Sequence, residues 1–281
     1  MVATALQAPS DNLDPATFSR FAEFIYDYSG IKMPLNKITM LEGRLRRRLR
    51  ATGLTNFDEY CTYLFGEGAD SELVHFIDVV TTNKTDFFRE PKHFEVLQHR
   101  VLPDLVSQGH RDIRAWSSAC STGAEPYTMA MLLEEAVTRR EIDNYTILAT
   151  DLSSDVLQQA RRGVYEAQFL APVPKDLAAR YLMLPVAKDR TERRIIPKLR
   201  RRIGFGRLNL MDNAYAVGDA MHMIFCRNVL IYFDKKTQYG VLRRLCDCLV
   251  PGGYLFIGHS ESVAGMDLPV RQIANTVFVK V

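Results

Sequence analysis

Five short stretches of this chain carry residues that could do chemistry. The first, Thr82-Asn83-Lys84-Thr85-Asp86-Phe87-Phe88-Arg89-Glu90, is odd for a linker, which is usually built of Gly, Ser or Pro. Asn83 and Thr85 offer short hydrogen-bonding groups, Phe87 and Phe88 can anchor the segment, and Arg89 adds a permanent cation. The second is the small-residue run Ser118-Ala119-Cys120-Ser121-Thr122-Gly123, where backbone can approach a ligand closely. The others are Asp151, Asn209-Leu210 and Arg227-Asn228. An acid can accept both hydroxyls of a ribose, and an Asn side chain beside a backbone N–H suits the edge of adenine. The last four of these stretches each have a plausible job on a nucleoside.

The charge pattern narrows the ligand. Of the dinucleotide fingerprint G-x-G-x-x-G only Gly123 remains, and Glu125 stands at a helix N-terminus that would otherwise attract phosphate. An acid there repels pyrophosphate and welcomes a cation. S-adenosylmethionine carries an adenosine, a cationic sulfur, and an amino-acid end with both an ammonium and a carboxylate. Glu125 suits the ammonium and Arg89 the carboxylate, so this is the expected cofactor, with S-adenosylhomocysteine as product. The histidines are scattered without metal-ligand spacing, and no metal is expected. His259, near the crevice, is read as making a structural hydrogen bond, and Trp116 as core.

These stretches need a frame to hold them. A strand over 113–117 leads into the small turn, a helix begins at Glu125-Pro126, and a strand over 145–150 ends on Asp151 before a helix over 153–162. This β-turn-α-β-acid succession is a nucleotide-binding half of a doubly wound sheet, in which ligands sit at the carboxyl ends of strands. Further strands are expected at 203–208, 220–226, 254–258 and 276–281, with a helix over 239–250 and a tight turn at Pro251-Gly252-Gly253. The late helix–turn–strand unit and the terminal strand fit the sheet of class I methyltransferases. Four prolines and the basic run 193–202 predict a small β insertion at about 170–203, with strand-like pieces at 194–196 and 198–205. A helix over 91–108 precedes the first strand.

Ahead of this α/β section lies an all-helical one. Asp14-Pro15 opens a helix that Gly30 stops, a second runs from Asn36 to about Thr52, Asn56 to Glu59 resembles a capping box, and a fourth carries Leu73, Phe76, Ile77 and Val80. Residues 1–12 are expected to be disordered, 13–80 to form the helical domain, 81–90 to link and contribute to the site, and 91–281 to form the sheet domain. In the second helix Arg44, Arg47 and Arg50 recur every three residues, opposite the leucines. With a net charge of only +3, any basic function is local. Such a face is either simply solvated or docks something acidic. No aromatic interleaving and no zinc module accompany it, so an acidic protein is favoured over nucleic acid. Five cysteines without a C-x-x-C pair read as reduced thiols of a cytoplasmic protein. A signal peptide is not expected, nor is a membrane span.

The chain closely resembles a known family, the bacterial chemotaxis receptor methyltransferases, which methylate glutamate side chains on chemoreceptors. The matching stretches are Thr81-Thr82-Asn83 with Phe87-Phe88-Arg89-Glu90, Trp116-Ser117, Ser121-Thr122-Gly123, Glu125-Pro126-Tyr127, Asn209-Leu210, Phe225-Cys226-Arg227-Asn228-Val229-Leu230-Ile231-Tyr232-Phe233-Asp234, and Gly258-His259-Ser260-Glu261. They run from about residue 14 to the end, in family order. Ala124 departs from the family, which usually has another acid there. The resemblance implies an α/β fold of class I, a Rossmann-like doubly wound sheet with a helical N-terminal domain and an antiparallel insertion. It implies that Asn83, Thr85, Arg89, Glu125, Asp151, Asn209, Leu210, Arg227 and Asn228 contact the cofactor, and that Arg89 and Tyr232 lie next to the transferred methyl. Arg44, Arg47 and Arg50 would be the receptor-docking face.

The expected partners are the cytoplasmic methylation helices of chemoreceptors, met by a monomer recruited to membrane receptor arrays. Some family members grip a C-terminal receptor pentapeptide along the insertion, with glycines in its turn. Here the turn Pro185-Val186-Ala187-Lys188-Asp189-Arg190 has no glycine, so the tether is expected to be unused. Two rivals stand beside this reading: a class I methyltransferase acting on nucleic acid, and a catalytically silent receptor-binding scaffold.

Overall fold

The computed structural model describes residues 12–185 and 191–281. The chain divides into two compact units, Met1–Thr82 and Asn83–Val281. The first is built from α1 (Pro15–Ser29), α2 (Ile38–Thr52), α3 (Phe57–Leu64) and α4 (Ala69–Val80). Asp14 caps α1 by accepting from the Ala16 and Thr17 amides, and Gly30 closes it at φ 73°. The second helix is two residues shorter than its pattern suggests, because Leu35–Lys37 forms a separate 3₁₀ turn. Asn56 caps α3 through the Glu59 amide, but the reciprocal arm differs from a capping box: Glu59 reaches back to the amide and hydroxyl of Thr55.

Phe21, Ile25, Leu41, Leu45, Tyr60, Phe76 and Ile77 form the fully buried centre of this unit. Buried Glu72 forms an ion pair beside them with half-buried Arg48. Arg48 forks onto Glu72 with two bonds of 2.8 Å, and the Tyr60 hydroxyl donates to the same carboxylate at 2.7 Å. The arginines of α2 therefore serve different ends. Arg48 faces inward, and Arg44 donates to the carbonyls of Val80 (2.5 Å) and Thr81 (3.0 Å), satisfying the C-terminal end of α4. Arg47 and Arg50 remain exposed. The expected three-arginine face is thus two arginines and a helix cap.

The second unit opens with α5 (Pro91–Val96), which passes through a π-helical turn, Leu97–Val101, into α6 (Leu102–Ser107). Then come β1 (Asp112–Ser117), α7 (Ala124–Thr138), β2 (Asn144–Asp151) and α8 (Ser154–Arg162). The insertion follows: β3 (Val164–Tyr165), α9 (Lys175–Tyr181), β4 (Leu182–Met183) and β5 (Arg193–Ile195). A short α10 (Pro197–Arg200) leads to β6 (Ile203–Arg207) and β7 (Met221–Cys226). The chain continues through α11 (Lys235–Asp247) and β8 (Leu249–Ile257), then the hairpin β9 (Val270–Ala274) and β10 (Val277–Lys280).

The main sheet has seven strands in the order β6-β2-β1-β7-β8-β10-β9. Strands β6, β2, β1, β7 and β8 are parallel, while β10 runs antiparallel to both β8 and β9. The central strand β7 is buried at all six positions, as a strand covered by helices on both faces must be. The sheet order reverses between β1 and β7, which places the ligand crevice at their carboxyl ends.

Three expectations need correcting. The insertion is a three-stranded antiparallel sheet in the order β3-β5-β4, so it begins at Val164 rather than near 170. Residues 197–200 form helix, not strand: Pro197 pre-sets the first helical φ and cannot donate to a ladder. The late helix starts at Lys235, four residues early, because Asp234 caps it through the Thr237 amide. The 185–190 turn lies mostly outside the described residues.

Candidate functional site

Four strand ends and the segment 83–90 converge through hydrogen bonds. At the end of β2, Asp151 Oδ2 accepts from the Ser121 amide at 2.8 Å and Oδ1 from the Ser153 amide at 3.0 Å. Ser121 sits at φ +50°, a conformation the small turn tolerates because its carboxylate partner holds it. The Ser121 hydroxyl then donates to the Asn83 carbonyl at 2.8 Å, tying the first of the five stretches to the turn. From Lys84 the carbonyl accepts the Arg89 guanidinium at 2.8 Å. Among the described residues Arg89 forms no ion pair, so its positive charge is uncommitted. On the other side, the Leu208 amide donates to the Asp151 carbonyl, which brings Asn209-Leu210 up to the same acid.

Gly123 ends the turn at φ +95°. A Cβ there would meet the Tyr165 hydroxyl at 2.8 Å and the Ala160 Cβ at 2.9 Å, so only glycine fits. The Tyr165 hydroxyl donates to the Thr122 carbonyl, and its ring packs edge-on to buried Phe87 at 5.1 Å. Asn83 and Thr85 line an open concavity of about 580 Å³ together with Thr122, Gln159, Tyr165 and Phe169.

Behind the crevice is a charge cluster whose centre the sequence reading passed over. Glu90, at φ +57°, accepts from Asn228 Nδ2 at 3.0 Å and the His259 amide at 3.2 Å through one oxygen. Its other oxygen accepts from Arg227 Nη2 at 2.9 Å. Arg227 also donates to the Arg89 carbonyl and to Glu125 at 3.0 Å, with its guanidinium over the Phe94 ring at 5.4 Å. The Arg227 side chain is only 2% exposed. Glu125, expected to stand open for an ammonium, is bonded to Arg227 and to the Ser117 hydroxyl at 2.7 Å. Burial pushes the Glu125 carboxyl up, against the pull of Arg227 and Ser117. Burial acts on Glu90 in the same sense but is outweighed by Asn228 and Arg227, leaving it at about 2.

A second missed carboxylate is Glu261. Buried after β8, it accepts from the amides of Gly258 (2.5 Å), Leu230 (2.8 Å) and Asn228 (3.1 Å), and so fixes the loop that carries Asn228 and Tyr232. Burial raises its carboxyl while those amides lower it. A Cβ on Gly258 would lie 2.7 Å from Asn228 Nδ2, so glycine is required beside it. Tyr232 is half-buried on a 3₁₀ turn, Leu230–Tyr232. Among the described residues no side-chain hydrogen bond ties it to Arg89. The ligand atoms of Glu90, His93 and His259 lie within 4.8 Å of one another, close enough for a metal. Arg227 already occupies the same carboxylate with a positive charge, which disfavours a second cation there.

Residues 83–279 match the family model "CheR methyltransferase, SAM binding domain", and residues 16–81 match "CheR methyltransferase, all-alpha domain". The chain is 37% identical over 259 residues to a chemotaxis protein methyltransferase of Borreliella burgdorferi, covering 90% of each. It is likewise 37% identical to one from Salmonella typhimurium, covering 95% of this chain and 90% of that relative. The chain belongs to the CheR methyltransferase family. It is an S-adenosylmethionine-dependent methyltransferase, and methylation of receptor glutamates is the general function of the CheR family. The donor set fits the cofactor: a strand-end carboxylate for hydroxyls, a guanidinium with no ion pair among the described residues for a carboxylate, and a turn whose tightness excludes any Cβ at Gly123.

Proposed function

We propose that the crevice binds S-adenosylmethionine through Asn83, Thr85, Arg89, Asp151, Asn209 and Leu210, with Glu125, Asn228 and the Arg227 backbone completing it from behind. When bound, the cofactor supplies an electrophilic methyl on a cationic sulfur. Asp151 accepts the ribose hydroxyls, and Asn209-Leu210 meets the adenine edge. Arg89 and Tyr232 orient the reacting groups and need not change protonation, because a substrate glutamate, at about 4.3, is already ionised near neutrality. No general base is required. Holding the acceptor oxygen in line is a kind of effect worth roughly 7–11 kcal/mol. The observation that carries this reading is the bonded path Asp151–Ser121–Asn83, which fixes the segment bearing Arg89 onto the strand ends while leaving its charge uncommitted.

The exposed pair Arg47 and Arg50 is the receptor-docking face, steering a monomer to acidic methylation helices on cytoplasmic receptor arrays. The glycine-free insertion turn supports a receptor encounter without a pentapeptide tether, and calorimetric titration of the isolated pentapeptide checks this: micromolar affinity refutes it. The central test is radiolabelled methyl transfer to chemoreceptor-containing membranes, scored as base-labile ester. Label that survives base, or label that goes to nucleic acid, sinks the proposal.

A further inference from the structure

The amino end of β6 carries a second cluster of cations, at the opposite end of that strand from Asn209-Leu210. Here α8, α10 and β6 enclose an open concavity of about 420 Å³ lined by Arg161, Pro197, Arg200, Arg201, Ile203 and Phe205. Its other lining residues, Pro197, Ile203 and Phe205, are apolar and none of its lining residues is acidic. Among the described residues, none of the three arginines forms an ion pair, although Lys198 on the same short helix pairs with Glu134 at 2.5 Å. Each guanidinium is instead fixed to a backbone carbonyl. Arg161 Nη2 donates to Phe205 at 2.8 Å, Arg200 Nε to Ile195 at 3.1 Å, and Arg201 Nε to Pro197 at 3.4 Å. Three anchored guanidinium groups with donors to spare, beside apolar side chains, match a phosphate better than a point charge would.

We propose that this concavity binds a phosphate-bearing ligand, separately from the cofactor crevice. Its volume lies in the range of small-ligand pockets, about 300–1,000 Å³, large enough for a phosphate ester and part of what it carries. An added peptide strand is the competing occupant, since β6 is an edge of the main sheet. Arg202 bonds inward to β2 through its carbonyl, so alternation turns the Phe205 carbonyl outward, where Arg161 already donates to it. That bond takes up an outward carbonyl that an added strand would need, which favours the small anion.

The phosphate could come from a soluble ester or from a lipid headgroup, and two arms separate them. In one, pyrophosphate is titrated by calorimetry into the full chain saturated with S-adenosylhomocysteine, in about 0.15 M salt. In the other, the chain is sedimented with phosphatidylglycerol vesicles, with phosphatidylcholine as control. The expected result is saturable binding in one arm, weakened roughly tenfold or more by Arg200→Gln and by Arg201→Glu. S-adenosylhomocysteine affinity and Tm should stay as in the wild type, which separates this site from the cofactor crevice and from misfolding. Pyrophosphate binding assigns a soluble ester, and vesicle binding alone assigns a headgroup. Failure of both arms, or binding that neither substitution weakens, overturns the proposal.

Discussion

Glu90→Gln tests the cluster behind the crevice most directly, because it removes one charge while keeping the side chain's size. Both carboxylate oxygens are bonded, to Asn228, the His259 amide and Arg227. Despite burial, Asn228 and Arg227 hold the carboxyl at about 2, against about 4.3 in an unfolded chain. That gap corresponds to about 3 kcal/mol at neutral pH, and solvent screening of a partly exposed group reduces it to about 2 kcal/mol. Because the folded value is the lower one, the stabilisation is complete above about pH 4.5 and disappears as the pH falls toward 2. The variant should therefore lose about 2 kcal/mol in urea unfolding near pH 7, with a gap to wild type that narrows steadily as the buffer is taken from about pH 5 toward pH 3. Affinity for S-adenosylhomocysteine should fall with it, since Arg227 loses the partner that aims it at the Arg89 carbonyl. A gap that does not change with pH, or no gap at all, would refute the electrostatic reasoning.

Asp151→Ala should weaken S-adenosylmethionine and S-adenosylhomocysteine alike by ~1.5–3 kcal/mol in calorimetry, and unchanged affinity would move the ribose elsewhere. Reversing Arg47 and Arg50 to Glu should raise the apparent KM for receptor without changing cofactor affinity, whereas Arg44→Glu should lower Tm by exposing the end of α4; kinetics and thermal scans of the two variants separate the two roles. Burial, helped by Arg227, holds His93 at about 4, so the folded chain keeps it neutral and loses stability as pH drops from about 6.5 toward 4. The Tm of His93→Asn should fall less steeply across that window than the wild type's, and parallel curves would remove His93 from the account.

The crevice was legible because it depends on order along the chain. A small turn after one strand and an acid after the next locate Gly123 and Asp151 wherever a parallel sheet is wound this way. Burial was harder to read. Nothing in the order of residues shows that the Arg227 guanidinium packs over the rings of Phe94 and Phe225. Glu90 carries no assigned role in the sequence because its importance lies in a positive φ that turns the carboxylate back toward Arg227 and Asn228, and no residue pattern announces that. The strand β9 was missed because its five residues are half or fully exposed, so they show no buried alternation. At 197–200 the neighbouring Ile195 and Ile196 suggested strand, and the proline overrode them.

Tyr165 bears on how this protein could be taken apart or rebuilt. It belongs to the first strand of the insertion, yet its hydroxyl props the Thr122 carbonyl and its ring closes over Phe87. The small sheet is thus not a detachable accessory. A chimera that swaps insertions between relatives must cut after Tyr165, because a junction placed at Gly163 would carry away a buttress of the cofactor turn. Loss of methyl transfer in such a hybrid would then report a collapsed turn and say nothing about what the exchanged loop recognises.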